Sequence, residues 1–95
     1  MAFTFLARMT VKPGREEEFA GLARQMEALV RAHEPRTLHY QFFRLDEPRG
    51  FAVLESFIDE AADEEHRNAP HSQPIIAQMI DCLDGGYTRE YLRPL

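Results

Sequence analysis

Glu55 is a carboxylate set in the apolar run Phe51-Ala52-Val53-Leu54-Glu55-Ser56-Phe57-Ile58. A carboxylate on a half-buried sheet face is costly unless it is paired or hydrogen-bonded. On a strand, Glu55 and Phe57 share a face because side chains alternate with a period of two. His66 and His71 follow, separated by Pro70 and neighbours. Histidine is the natural general base at neutral pH, and either could take a proton from a phenol or an enol. Residue type alone leaves other roles open. Glu55 could bond a helix N-terminus or an arginine across an interface. His66 could close a helix and favour its dipole, and His71 could cap the helix that follows.

Other chemistries find less support. His66 and His71 cannot share a helix face across Pro70, so no recognised metal spacing arises and no metal is expected. Cys82 is the only cysteine, which rules out an internal disulfide and a paired zinc site. No glycine-rich phosphate loop follows a strand, and no Ser-His-Asp or Cys-His signature is present. His39 lies on a strand of undetermined register, and His33 reads as a solvated helix end. Tyr40, Phe42, Phe43, Phe51, Phe57 and Tyr87 could line a flat apolar cavity, although such residues more often form plain core.

The 95 residues allow one domain, spanning 1–95. A net charge of −5, with Lys and Arg scattered, excludes the clustered basic surface that a nucleic-acid binder needs. Glu16-Glu17-Glu18 and the acidic stretch from Asp59 to Glu65 fall where helices should begin, and there they favour the helix dipole. The N-terminus lacks the pattern of a signal peptide, and no apolar run is long enough to span a membrane. A lone cysteine in an apolar stretch suits a reducing compartment, so a cytoplasmic location is expected.

The elements that must position these residues are legible in the periodicities. Phe3 to Val11 alternates, with Phe3, Phe5, Ala7, Met9 and Val11 on one face. From about Gly14 to His33, Phe19, Leu22, Ala23, Met26, Leu29 and Val30 recur at helical spacing, and Pro35 ends that helix. Thr37 to Leu45 and Phe51 to Ile58 read as strands joined by the turn Asp46-Glu47-Pro48-Arg49-Gly50. Both faces of the second of these strands are largely apolar, as for a strand between two layers. Asp59 is a good N-cap for a short helix over about 60–68. A further helix is expected from Ser72 or Gln73 to Leu83, with Pro74 in its first turn and Gly85-Gly86 ending it. Tyr87 to Leu92 is the last expected strand. The order β-α-β-β-α-β, with the second helix split, is the α+β ferredoxin-like pattern with a four-stranded antiparallel sheet. Its open sheet face calls for a cover, and a second copy of the chain, giving a homodimer, is the simplest one.

Three stretches resemble the antibiotic biosynthesis monooxygenase family, whose members form dimeric α/β barrels. They are Val11-Lys12-Pro13-Gly14-Arg15-Glu16-Glu17-Glu18-Phe19, then Glu34-Pro35-Arg36-Thr37-Leu38-His39-Tyr40, then the series Glu55, Phe57, Ala62, His66 and Ala69-Pro70-His71. The chain departs from the family pattern with Arg36 in place of the usual Gly, Phe57 in place of Trp, and Ala69 in place of Ser.

The resemblance implies an oxygenase that needs no metal, flavin or haem and oxidises a quinol or a polycyclic phenol. It makes His66 the base, with Glu55 orienting or charging it. Phe57 and Tyr40 would stack on the substrate ring, and His71 would lie at the same small aromatic or hydrophobic substrate. Two other readings stay open at this point. One is an isomerase or lyase acting on a small oxo-acid or lactone. The other is a dimeric stress-response module that holds a hydrophobic ligand without turnover. A haem-degrading relative fits less well, because the chain has no Trp.

Overall fold

The alternation of the first strand, β1 (Phe3–Val11), buries Phe5, Ala7 and Val11 on one face. Gly14 then turns the chain with a φ of 82°, a left-handed value that glycine adopts freely. Helix α1 (Glu16–His33) buries Phe19, Leu22, Ala23, Met26 and Val30 of the expected stripe, with Leu29 half-buried. Strands β2 (Thr37–Arg44) and β3 (Gly50–Phe57) pair as an antiparallel hairpin. Helices α2 (Glu60–Asn68) and α3 (Gln73–Asp81) precede the last strand, β4 (Leu83–Leu92). The structure is a computed structural model that describes residues 2–95.

The strands form one antiparallel sheet in the order β2-β3-β1-β4. The helices pack on a single face of it. Phe19 of α1 meets Phe42 and Phe51, His66 of α2 meets Tyr40 and Phe57, and Met79 of α3 joins the cluster around Val11 and Phe51. This is the expected α+β ferredoxin-like arrangement. The core falls into two clusters, one under α1 and α3 and one around Phe5, Val53 and Phe57. Met9, Tyr40 and Phe42 pack against both. Among the described residues, no helix packs on the other sheet face. There Leu6 pairs with Leu54, Thr4 bonds Ser56 at 2.8 Å, and Phe43 is 41% exposed.

The C-terminal part departs from the sequence reading. Helix α3 stops at Asp81, short of Leu83, and β4 begins at Leu83, ahead of Tyr87. Cys82 closes the helix by donating its N–H to Met79 O at 3.0 Å. Gly85-Gly86 therefore end no helix. They lie in β4, where its pairing with β1 shifts register between Met9 and Val11, and Gly85 has a φ of 92°. A bulge of this kind needs a left-handed residue as much as a helix end does. Elsewhere the bounds move less. Helix α1 begins at Glu16 after the Gly14 turn, β2 ends at Arg44, and β3 runs one residue earlier than expected.

Candidate active site

Strand β3 delivers Glu55 to the helix side of the sheet. Its register neighbours are Phe5 on β1 and Tyr40 on β2. Glu55 is 8% exposed. Burial pushes its pKa up to about 8, and Asp63 and Glu34 add to the rise while Arg89 and Arg67 oppose it. A carboxyl deprived of water favours its neutral form. Burial likewise holds the Tyr40 hydroxyl well above its ordinary pKa, so it remains a protonated phenol.

Helix α2 delivers His66. Its start is fixed by Asp59, whose Oδ1 accepts the Ala62 N–H at 2.9 Å. His66 lies in the last turn of α2 and is 5% exposed. The ring sits between Tyr40 and Phe57, with centroids 5.1 and 5.4 Å away. Its Nδ1 is 2.7 Å from Glu34 Oε1, and its Nε2 is 3.5 Å from Glu55 Oε1. Glu34 occupies the C-cap of α1. Its other oxygen, Oε2, is 2.8 Å from Nε2 of His71.

Beside Nε2 lies a cavity of about 120 Å³ walled by Ala7, Met9, Tyr40, Phe42, Val53 and Met79. Glu55, His66, Arg67 and Arg89 are its polar groups. Ile80 and Tyr87 also line it and are each at least half exposed, which marks the open end. Arg67 and Arg89 are tied back to Asp63, whose Oδ2 is 3.3 Å from each. Asp63 is buried, and its Oδ1 has no hydrogen-bond partner among the described residues. The Arg89 guanidinium also lies 4.0 Å over the Phe5 ring. A larger hollow of about 480 Å³ between α1 and β2 is lined by Glu27, Arg31, His39 and Gln41 among others, but touches neither Glu55 nor His66. The smaller cavity has the apolar walls and convergent polar groups of a small-molecule site.

Of the residues singled out from sequence, Glu55, His66 and Tyr40 converge on this cavity. Phe57 and His71 do not reach it. Phe57 is fully buried and stacks on Phe5 at 6.3 Å, so it backs the His66 ring. His71 sits on the far side of His66, with its ring 5.1 Å from that of His33. His39 is exposed on the helix-free face opposite Ser56, and Phe43 shares that face. Of the other aromatics, Phe42 and Tyr87 line the cavity while Phe51 is core. Sequence reasoning missed Glu34, Asp63, Arg67 and Arg89 as members of this constellation. Glu34 gave one signal, an acidic side chain at the α1–β2 turn just before Pro35. The spacing of Asp63 and Arg67, four apart on α2, was the other. Among the described residues, no three His, Cys, Asp or Glu are grouped so as to hold a metal ion. No helix among them is long and apolar enough to cross a membrane.

The family model described as "Antibiotic biosynthesis monooxygenase" matches residues 2–78, which carry Glu34, Glu55, His66 and His71. The chain belongs to this family. It is 33% identical over 77 residues to the Bacillus subtilis (strain 168) protein named "Putative monooxygenase YcnE", covering 81% of each chain. The structure is similar to that of a "putative antibiotic biosynthesis monooxygenase" from Caulobacter crescentus CB15. That match has a TM-score of 0.91 and 27% identity, covering 99% of this chain and 90% of the other. Rv0793 from Mycobacterium tuberculosis shares the fold at a TM-score of 0.87 and 22% identity, covering 100% and 96%. The expected family and fold are thus both established.

Proposed function

We propose that this member of the antibiotic biosynthesis monooxygenase family oxidises a quinol or polycyclic phenol with dioxygen, without metal, flavin or haem. The observation that supports this most is the placement of His66. It is a buried imidazole whose Nε2 faces an apolar cavity and whose Nδ1 is engaged by a carboxylate. A base so placed can take a hydroxyl proton where water is scarce.

The reaction follows from the substrate's own electrons. His66 Nε2 takes the hydroxyl proton, and the phenolate gives one electron to dioxygen. The two radicals couple at a ring carbon that still bears hydrogen, ortho or para to the phenolic oxygen, forming a peroxide. The proton held on His66 returns to that peroxide. The carbon then loses its hydrogen as a proton while the O–O bond breaks, a carbonyl forms and water leaves. One phenol and one dioxygen give one quinone and one water. Tyr40 and Phe42 offer the ring an aromatic wall. Glu55, with its raised pKa, is a protonated acid beside Nε2 at neutral pH; it can give its proton to the departing oxygen and take up in exchange the proton that the ring carbon loses.

The same reading takes the working form to be a homodimer in a reducing cytoplasm. Leu6, Leu54 and Phe43 lie on a sheet face that no helix among the described residues covers, and Phe43 is about two-fifths exposed. The test of the chemistry is oxygen uptake by metal-stripped protein with a panel of hydroquinones and dihydroxynaphthalenes. Uptake above the uncatalysed rate is expected, falling roughly 10²–10⁴-fold in His66→Ala. No uptake across the panel would defeat the oxygenase reading.

A further inference from the structure

His66 forms part of the wall of two cavities. On its Nε2 side is the apolar cavity described above. On its Nδ1 side is a second one, of about 250 Å³, lined by Glu34, Thr37, His71 and His33 among others. Glu34 stands between the imidazoles of His66 and His71, with one oxygen 2.7 Å from the first and the other 2.8 Å from the second. Thr37 Oγ1 donates to Glu34 Oε1 at 3.4 Å. The backbone holds Glu34 as firmly. Its N–H donates to Val30 O at 2.9 Å, and its carbonyl accepts the Thr37 N–H at 3.1 Å. The side chain is about nine-tenths buried.

We propose that Glu34 is the positioning residue of this site: it fixes His66 with a proton on Nδ1 and a lone pair on Nε2 facing the apolar cavity, and His71 anchors Glu34 from the other side. The argument is one of donors and acceptors. An ionised carboxylate only accepts, so each nitrogen at hydrogen-bond distance from it must carry a hydrogen. Nδ1 of His66 and Nε2 of His71 are those nitrogens. A neutral imidazole has a single N–H, which leaves Nε2 of His66 bare. The opposite tautomer would set the Nδ1 lone pair against a carboxylate oxygen at 2.7 Å. A base fixed in this way needs no reorientation before it takes a proton.

The role in turnover rests on the oxygenase reading, while the tautomer does not. In that reaction the proton taken from the hydroxyl is later returned, so His66 must remain an imidazolium in a site with little water. Glu34 stands where its charge compensates that cation. Glu55, 3.5 Å away on the Nε2 side, is too far for a good bond and leaves the lone pair free.

Long-range proton–nitrogen NMR of the histidine rings reads the tautomer directly. In the wild type, at a pH where the ring is neutral, His66 is expected as the Nδ1–H form. In Glu34→Gln the amide can donate as well as accept, so the Nε2–H form should become populated. With the hydroquinone panel, kcat should fall roughly 10²–10⁴-fold with KM little changed. The wild-type spectrum is a test that requires no variant. A His66 in the Nε2–H form overturns the proposal, and so does one that stays doubly protonated across the whole range. A Glu34→Gln protein with unaltered tautomer and unaltered kcat overturns it too. If the wild type turns over nothing in the panel, the oxygenase reading falls and the spectrum still decides the role of Glu34.

Discussion

Arg89 on β4 reaches Asp63 on α2 at 3.3 Å, so the last strand is tied to the helix that carries His66. The Asp63 side chain is 2% exposed and that of Arg89 is 20% exposed. Removing the carboxylate strands a guanidinium that is largely out of water. Asp63→Ala should destabilise the fold by about 2–3 kcal/mol, less than the ~3–5 kcal/mol of a fully buried pair because Arg89 keeps some solvent. The urea midpoint at fixed protein concentration measures it.

The Asp59 cap gives a smaller and more local effect. Asp59→Ala leaves the Ala62 N–H without its acceptor and should cost about 1 kcal/mol. Loss of the exposed Arg36 pair adds ~0–1 kcal/mol at most. Hydrogen exchange should quicken in α2 before it quickens in the sheet, and a uniform change across the chain would contradict this.

Glu55 should make stability depend on pH in the direction opposite to a salt-bridged carboxylate. Its ordinary pKa is 4.5 and burial raises it to about 8 in the folded chain. Between those values the unfolded chain has released the proton and the folded chain still holds it. The folded state therefore binds more protons, and stability falls as pH rises through this window. Glu55→Gln, which cannot ionise, removes that contribution. The difference in denaturation midpoint between wild type and Glu55→Gln should move against the wild type from about pH 5 to pH 8. A constant difference across that range would refute the buried neutral acid.

The helix-free sheet face offers a test of assembly. Leu6 and Leu54 lie opposite one another at its centre. Leu54→Lys should give a monomer mass by light scattering at micromolar concentration, where the wild type should give a dimer. A wild type that is itself monomeric would count against the homodimer.

Much of this arrangement could be read from local pattern, and the exceptions share a cause. Helix α2 over Glu60–Asn68 and its Asp59 cap were legible because a cap and a helical period are short-range signals. Glu55 stood out because a lone charge breaks the alternation of an apolar strand. The start of β4 was misread because Gly85 serves a bulge, and a left-handed glycine looks the same at a bulge as at a helix end. Glu34 was missed because its partners lie 32 and 37 residues away, and no local pattern announces such a meeting. Phe57 was read as a substrate-facing ring. Its face was right, but Phe5 and His66 enclose it.

Helix α2 buries Ala62, Asp63 and His66, so its buried apolar surface comes to one methyl group and the faces of an imidazole ring. A helix held by oily area can tilt at little cost, since that attraction has no direction. This one is held by a cap, an ion pair and an imidazole–carboxylate bond, each of which has a fixed geometry. It should behave as a latch, closed as a unit or released as a unit. Loss of any one of those few bonds would work the catch, while the greasy layers beneath stayed shut.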